Sequence, residues 1–226
     1  MVGAQLIAHD EQNIFDLTHE VPRSTAAAAS AYLKRMTTSP SIRDILDFWF
    51  LPLDHPDHGK PRDIWWAGPP EFDAEIRTRF SPAFEQAIEG GLDRWRQSPD
   101  GALALILLCD QLPRNMHRRS AHAFAGDGKA METARLALAR FYPAAFNPTM
   151  RAFFYMPFQH SESLEDQEMG CALFAPFNDP EMTKYAAEHR DIIVRFGRFP
   201  HRNDVLGRIC TDEELEYLKN ANRFGQ

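Results

Sequence analysis

An uninterrupted apolar run from Ala102 to Cys109 is the feature that most constrains how this chain folds. Such a run is typical either of a buried strand or of a helix that is buried on all sides, and periodicity alone does not separate the two. Alanine and leucine dominate the run and β-branched residues are nearly absent, which favours a helix. We therefore predict a central helix that is enclosed by the rest of the fold.

The segments on both sides of this run also have the apolar spacing of helices. Four places combine a capping residue with a neighbour that favours a helix start: Ser41 with Asp44, Asn147 with Pro148, Asp179 with Pro180, and Thr211 with Glu214. Pro82 is expected to kink or divide one helix, and Gly126 and Gly128 to break another. No strand is convincing. The predicted fold is all-α, a compact array of about eight helices packed as antiparallel pairs, similar to a tetratricopeptide-repeat-like stack.

Residues 1–38 mix acids and histidines and have little apolar periodicity. We predict that they are an N-terminal extension and that residues 39–226 form a single all-helical domain. Met36 directly precedes the first strong helix signal and is a candidate for the first residue of the natural protein. Peptides from residues 1–35 in the natural protein would contradict that idea.

Composition excludes several classes of protein. With 226 residues, 44% apolar and 25% charged, the chain has the balance of a globular domain. Its net charge of -7 disfavours nucleic acid as a partner. Its three distant cysteines fit neither a disulfide framework nor a clustered zinc site. It has neither a long apolar segment nor a signal peptide, so we expect no membrane span and a cytoplasmic location.

Three polar motifs stand out against this helical background. They are Asp110-Gln111-x-Pro113-Arg114-Asn115, then His160-Ser161-Glu162 with Asp166-Gln167, and then Arg195 to Asn203 continuing to Gly207 and Arg208. In this order they resemble the bacterial domain-of-unknown-function family 924, over about residues 40–220. The resemblance implies an all-helical fold with no assigned activity. The chain departs from the family pattern in its leader, at Cys109 and Cys210, and at Met116 and His117, and these departures argue against a cysteine mechanism.

Two classes of function fit the motifs. The first is a binding protein whose arginines, in an otherwise acidic chain, capture an anionic small molecule or an acidic peptide. Its predicted ligand-binding residues are Arg114, Asn115, Gln167, Arg195, Arg198, Arg202 and Asn203. The second is a small-molecule enzyme of hydrolase or lyase type. Here His201, or secondly His160, acts as the acid and base, and a carboxylate such as Asp166 or Asp110 orients the imidazole.

A purely structural role is the third alternative. The arginines would then pair with the acids and with helix C-terminal carbonyls, joining helices through a buried polar network. If the motifs instead form one site, then Arg114, His160, Asp166, Arg198 and His201 should line a single cavity. His189 falls on an apolar helix face and is predicted to be a core histidine.

The residues in the motifs that could donate to a metal are His160, Glu162, Asp166 and His201. We predict no metal site, because Glu162 and Asp166 also suit the first turn of a helix that follows Ser161 or Ser163, and we expect Ser161 to be a helix cap. The chain has no Gly-rich phosphate loop, and the motifs do not identify a cofactor.

Overall fold

The computed structural model describes residues 39–221, whose regular secondary structure is entirely helical, without strands. The α-helices are α1 (Ile42–Phe50), α2 (Ile64–Ala67), α3 (Pro70–Ile88), α4 (Pro99–Ile106), α5 (Leu112–Met116), α6 (Asp127–Ala139), α7 (Pro148–His160), α8 (Leu164–Phe174), α9 (Pro180–Phe196) and α10 (Asp212–Leu218). Short 3-10 turns lie between them at Asp93–Gln97, Ala121–Phe124, Tyr142–Ala145, Ala175–Phe177 and Pro200–Arg202. The all-α prediction is confirmed, whereas the likeness to a repeat stack stays a prediction.

The predicted N-terminal extension, residues 1–38, lies outside the described residues. Within residues 39–221, each helix is either too short or too polar to cross a lipid bilayer.

The four predicted helix starts are confirmed. Ser41 and Asp44 form a reciprocal capping box, and Thr211 forms another with its own acidic partner. The Asn147 side chain accepts a hydrogen bond from the amide of Met150 at 3.0 Å, and Asp179 caps α9. Each cap satisfies backbone N–H groups that a helix leaves unpaired at its first turn. Pro82, however, lies inside a continuous α3, so the predicted division of this helix does not occur.

Helix α4 lies in the centre of the described fold, where it packs against α1, α6 and α7. Every residue from Gly101 to Ile106 is buried, as the apolar run predicts. The run is not a single regular helix, however. The α-helix ends at Ile106, and Leu107–Gln111 forms a π-helical turn in which the amide of Leu112 donates to the carbonyl of Leu107.

Pro113 offers a physical reason for the π-helical turn. In a regular α-helix its ring would clash with the carbonyl of Cys109, four residues earlier, which would also lack an N–H donor. The wider turn moves this carbonyl away from the proline. It also carries Asp110 and Gln111 of the first motif, and such single π-turns occur often at functional sites.

Gly126 packs directly on the backbone of this turn. A Cβ atom at Gly126 would lie 2.3 Å from the carbonyl oxygen of Cys109 and 2.9 Å from its Cα atom. These are backbone atoms, so the turn itself would have to move. The glycine therefore lets the start of α6 approach the π-helical turn.

We expect the Gly126→Ala substitution to lower the free energy of unfolding by about 1–3 kcal/mol, the usual cost of overpacking. Gly128→Ala is the matched control, because a Cβ there would meet nothing within 4 Å. The control should be neutral or stabilising, since alanine restricts the unfolded chain. Urea unfolding followed by circular dichroism measures both variants. Equal stability of the two would contradict the close contact.

Helices α7, α8 and α9 pack consecutively, joined by short connections. Gly197, with a φ of 68°, ends α9. After it, the chain reaches the 3-10 turn Pro200–Arg202, where the side chain of Arg202 donates to the carbonyl of His160 at the end of α7. The second and third motifs thus meet beside the π-helical turn.

Candidate functional site

Asp110 is the centre of the site. It lies in the π-helical turn with 1% of its side chain exposed. Its carboxylate accepts hydrogen bonds from the side chain of Gln111 and from Nδ1 of His160, the latter at 2.6 Å. Nη1 of Arg114 lies 3.4 Å from its Oδ1. Burial opposes ionisation of Asp110, but the charge of Arg114 and the contact with His160 outweigh burial and hold its pKa below the usual value.

His160 is the last residue of α7, and its imidazole is directed at Asp110. Burial and the nearby charge of Arg114 lower its pKa, and the opposing effect of Asp110 is smaller. The ring is therefore neutral at pH 7. An ionised carboxylate only accepts hydrogen bonds, so the ring proton is on Nδ1 and the lone pair is on Nε2.

The Nε2 atom of His160 is the basic nitrogen of this pair, and 17% of the side chain is exposed. A basic nitrogen with a fixed tautomer and partial access to solvent can take up a proton from a bound molecule.

Arg114 joins the π-helical turn to the start of α6. Its guanidinium donates to the carbonyl of Asp110 and to both carboxylate oxygens of Asp127, at 3.0 and 3.2 Å. Burial opposes the charged form, yet Asp110 and Asp127 hold the pKa of Arg114 above its usual value. Two acids thus compensate the charge of this buried arginine.

Arg202 closes the other side of the site. Its Nη1 atom donates to the carbonyl of His160 at 3.0 Å and lies 3.6 Å from Oδ2 of Asp127. Its guanidinium lies between the rings of Phe124 and Phe199, at 4.7 and 4.4 Å from their centroids. Burial and the charge of Arg114 lower its pKa to about 10, so it stays protonated at neutral pH.

These side chains form what we name the buried charge cluster: Asp110, Arg114, Asp127, His160 and Arg202. Two carboxylates face two guanidinium groups, and the histidine is neutral. The charges therefore balance within the cluster. The balanced charges differ from the positive arginine cluster that the sequence led us to expect, while the capture of an anion stays a prediction.

The remaining predicted arginines are paired elsewhere. Nε of Arg195 donates to Glu213 at 2.9 Å. Arg198 makes a two-pronged contact with Glu214, at 2.7 and 2.8 Å. The acids lie on α10, so these arginines attach the last helix to the end of α9. In the described structure they connect helices, and these ion pairs lie outside the buried charge cluster.

Predicted amide-bearing residues also have partners inside the protein. The side chain of Asn115 donates to Asp73 at 2.8 Å, and that of Asn203 donates to the sulfur of Cys210 at 3.3 Å. Nε2 of Gln167 donates to the carbonyls of Gln159 and Ser161, both at 2.7 Å. It thereby caps the C-terminal end of α7.

Asp166 does not join the buried charge cluster. It pairs with Arg135 and accepts the hydroxyl hydrogen bond of Ser161 at 2.7 Å. Ser161 is a helix cap, at the C-terminal end of α7, and Ser163, the other serine considered, is the N-cap of α8. Asp166 and Arg198 bond to partners outside the buried charge cluster, and the single cavity expected for five residues stays a prediction.

Two further histidines lie nearby. His201, the first choice for catalysis in the sequence, packs beside Phe199 with ring centroids 5.4 Å apart. The bond to a buried carboxylate that orients an imidazole is found at His160 instead. His189 is buried, bonds to the carbonyl of Tyr185 at 2.7 Å, and has a pKa lowered to about 3 by burial and the proximity of His160. Its prediction as a core histidine is confirmed.

The metal donors considered in the sequence also have other partners. Glu162 accepts hydrogen bonds from Arg208 and from the amide of Phe199, while His160 and Asp166 bond as described above. Asp127 was missed altogether, because an acid in the first turn of a helix is ordinary. The sequence feature that could have drawn attention to Asp127 is its position directly after Gly126.

Comparisons with known proteins cover the whole of this site. A family model described as a bacterial protein of unknown function, DUF924, matches residues 45–222. The chain is also similar to a solved structure of a protein of unknown function from Agrobacterium tumefaciens, with 39% identity and a TM-score of 0.73. That match covers 80% of this chain and 97% of the other. No curated protein matches.

Proposed function

The chain belongs to the DUF924 family of bacterial proteins, and we propose that it is an enzyme acting on a small molecule, with His160 as general base. The supporting observation is the 2.6 Å hydrogen bond between Oδ1 of Asp110 and Nδ1 of His160. A carboxylate that holds the Nδ1–H tautomer and leaves Nε2 basic is the arrangement by which histidine bases are oriented in hydrolases. The reaction class is hydrolysis or elimination.

In hydrolysis, Nε2 of His160 takes a proton from a water molecule as the water oxygen bonds to the electrophilic atom of the substrate. The bond to the leaving group then breaks, and the protonated imidazole returns its proton to that group. In elimination the same nitrogen takes a proton from a carbon of the substrate, the electron pair of that C–H bond forms a double bond to the neighbouring carbon, and the bond to the leaving group breaks; the imidazolium returns the proton to that group. Asp110 stabilises the imidazolium in both cases, because its negative charge is adjacent and already desolvated.

Arg114 and Arg202 are positioning residues in this proposal. Arg114 keeps Asp110 ionised and holds the backbone carbonyl of the π-helical turn. Arg202 holds the carbonyl of His160 and so fixes the end of α7. Both act on the orientation of the base rather than on the substrate.

A second candidate is the capture of an anionic small molecule or an acidic peptide. It is supported by two buried nitrogens, Nε of Arg114 and Nε of Arg202, which have no hydrogen-bond partner in the described part of the chain. Buried donors of this kind are usually satisfied, so a bound acceptor is one explanation. The charge balance of the buried charge cluster weakens this candidate.

We expect the His160→Asn substitution to reduce turnover by about 10²- to 10⁴-fold, the usual contribution of a general base. Asparagine keeps a donor for Asp110 and removes the basic nitrogen. His58→Asn is the matched control, because His58 is also half-buried and bonds through Nδ1, at 2.6 Å to the carbonyl of Leu51. A panel of chromogenic esters, amides and phosphates measures turnover of wild type and both variants.

Turnover that survives in His160→Asn would contradict the proposal, as would a wild type inactive on the whole panel. A thermal-shift series with phosphate, citrate and an acidic peptide separates the second candidate. A midpoint raised by one of these anions in wild type, but not in Arg202→Met, would support binding without catalysis, since selective binding to the folded state stabilises it.

A further inference from the structure

Three potential metal ligands meet on a face of the molecule that the buried charge cluster does not use. Glu85 lies on α3, His117 directly follows α5, and His122 lies in the 3-10 turn Ala121–Phe124. One ligand atom from each residue lies within 4.8 Å of the other two. Three separate elements of the fold therefore place two imidazoles and a carboxylate around one point.

The contacts inside this group are specific. Nε2 of His122 lies 2.7 Å from Oε1 of Glu85, and the two imidazole rings lie 4.5 Å apart. Nε2 of His117 is buried and lacks a hydrogen-bond partner within residues 39–221. A buried nitrogen without a partner is costly, and a bound ion would satisfy it.

The surroundings hold both histidines in place. The buried ring of Phe84 packs against His122 and His117, with centroids 5.2 and 5.8 Å away. The hydroxyl oxygen of Ser120 accepts a hydrogen bond from the amide of His122 at 3.2 Å, which fixes the 3-10 turn Ala121–Phe124. Burial, then the neighbouring His122, lowers the pKa of His117, so this ring is neutral and able to donate its lone pair at pH 7.

We propose that Glu85, His117 and His122 form a binding site for a divalent transition metal of the zinc type. Two imidazole nitrogens and one carboxylate oxygen are a ligand set that zinc accepts, with a fourth position left for water. Bond lengths of about 2.0–2.1 Å in a tetrahedral site place neighbouring ligand atoms about 3.4 Å apart. Small side-chain rotations reach this spacing from the observed distances.

One charge opposes a cation here. Arg77 lies close enough to lower the pKa of His117, and its guanidinium donates to the carbonyl of Met116 at 2.7 Å. Glu85 supplies a compensating negative charge in the first coordination sphere. The proposal does not depend on the chemistry of His160.

The test uses the full chain after dialysis against EDTA. Zinc is titrated in competition with a chromophoric chelator, and cobalt is used to record the visible spectrum of a tetrahedral site. We expect wild type to bind one equivalent of zinc. The zinc affinity should fall by about 100-fold or more in His122→Gln and Glu85→Gln, because even changes to residues that only orient a metal ligand lower the affinity 10- to 100-fold. His55→Gln, an exposed histidine in the 52–60 loop, is the control and should bind as wild type.

Zinc affinity should also fall as pH drops below about 6.5, because protons compete for the imidazole nitrogens. Circular dichroism of each metal-free variant confirms that the fold is kept. A wild type that binds no zinc would overturn the proposal. So would equal zinc affinity in wild type, His122→Gln and Glu85→Gln.

Discussion

Replacing Asp110 with alanine should lower the free energy of unfolding by about 3–5 kcal/mol, the usual cost of breaking a buried ion pair by removing one partner. Asp110 is shared by Arg114, His160 and Gln111. Its removal leaves the guanidinium with only Asp127 as a carboxylate partner and leaves the Nδ1–H group of His160 without an acceptor. Both groups lie too deep for water to replace the lost contacts fully.

Two variants make this measurement decisive. Asp110→Asn keeps the volume of the side chain and an acceptor oxygen, so the decrease in its free energy of unfolding isolates the contribution of the charge. Asp57→Ala removes an acid from an exposed pair with Lys60 and should not change the free energy of unfolding measurably. Denaturant unfolding at pH 7 measures all three. If Asp110→Ala is as stable as Asp57→Ala, the buried charge cluster contributes nothing to stability.

The stability of the protein should fall as the pH drops below about 6.5, and His189 should contribute to this fall. Its pKa is about 3 in the folded protein, compared with about 6.5 in an unfolded chain. Between these values the unfolded chain binds a proton that the folded protein does not. The stabilisation is fully present above pH 6.5 and is lost as the pH falls toward 3, by up to about 1.4 kcal/mol per pH unit.

The range from pH 5 to 6.5 isolates this effect, because carboxyl groups titrate mainly at lower pH in the unfolded chain. We expect His189→Leu to reduce the slope of unfolding free energy against pH by close to one proton. His55→Leu, at an exposed position, should leave the slope unchanged. His160 has a pKa lowered in the same direction, so some slope will remain. A slope in His189→Leu identical to wild type would contradict the assignment.

Helix starts were predictable from the sequence because the forces that set them are local. The caps at Ser41, Asn147, Asp179 and Thr211 act on amides within three residues. The burial of α4 was also predictable, since an apolar helix without a polar face has to be enclosed. The π-helical turn was missed because one extra residue in a turn leaves no trace in a run that is apolar on every side. Pro113 was the available signal.

The composition of the site was predictable only in part. The motifs pointed to Arg114 and Arg202 as ligand-binding residues and to His160 as a catalytic one, with pairing inside the protein as an alternative, and the structure brings the three together. They did not reveal which acid each arginine meets, since Asp127 and Glu214 look like ordinary first-turn acids. The group of Glu85, His117 and His122 was hidden for a related reason. Its members come from three elements whose proximity depends on tertiary packing.

The bond between Arg202 and the carbonyl of His160 spans 42 residues of sequence, and this separation sets an order of events during synthesis. Chains leave the ribosome N-terminus first, so Asp110 and His160 emerge well before Arg202. Until then the end of α7 lacks its guanidinium donor, and Asp127 has one arginine neighbour instead of two. In a nascent chain paused in this interval, Asp110 and His160 have been synthesised, but the carbonyl of His160 at the end of α7 has no guanidinium donor. When Arg202 emerges, it supplies this donor and the second positive charge of the buried charge cluster.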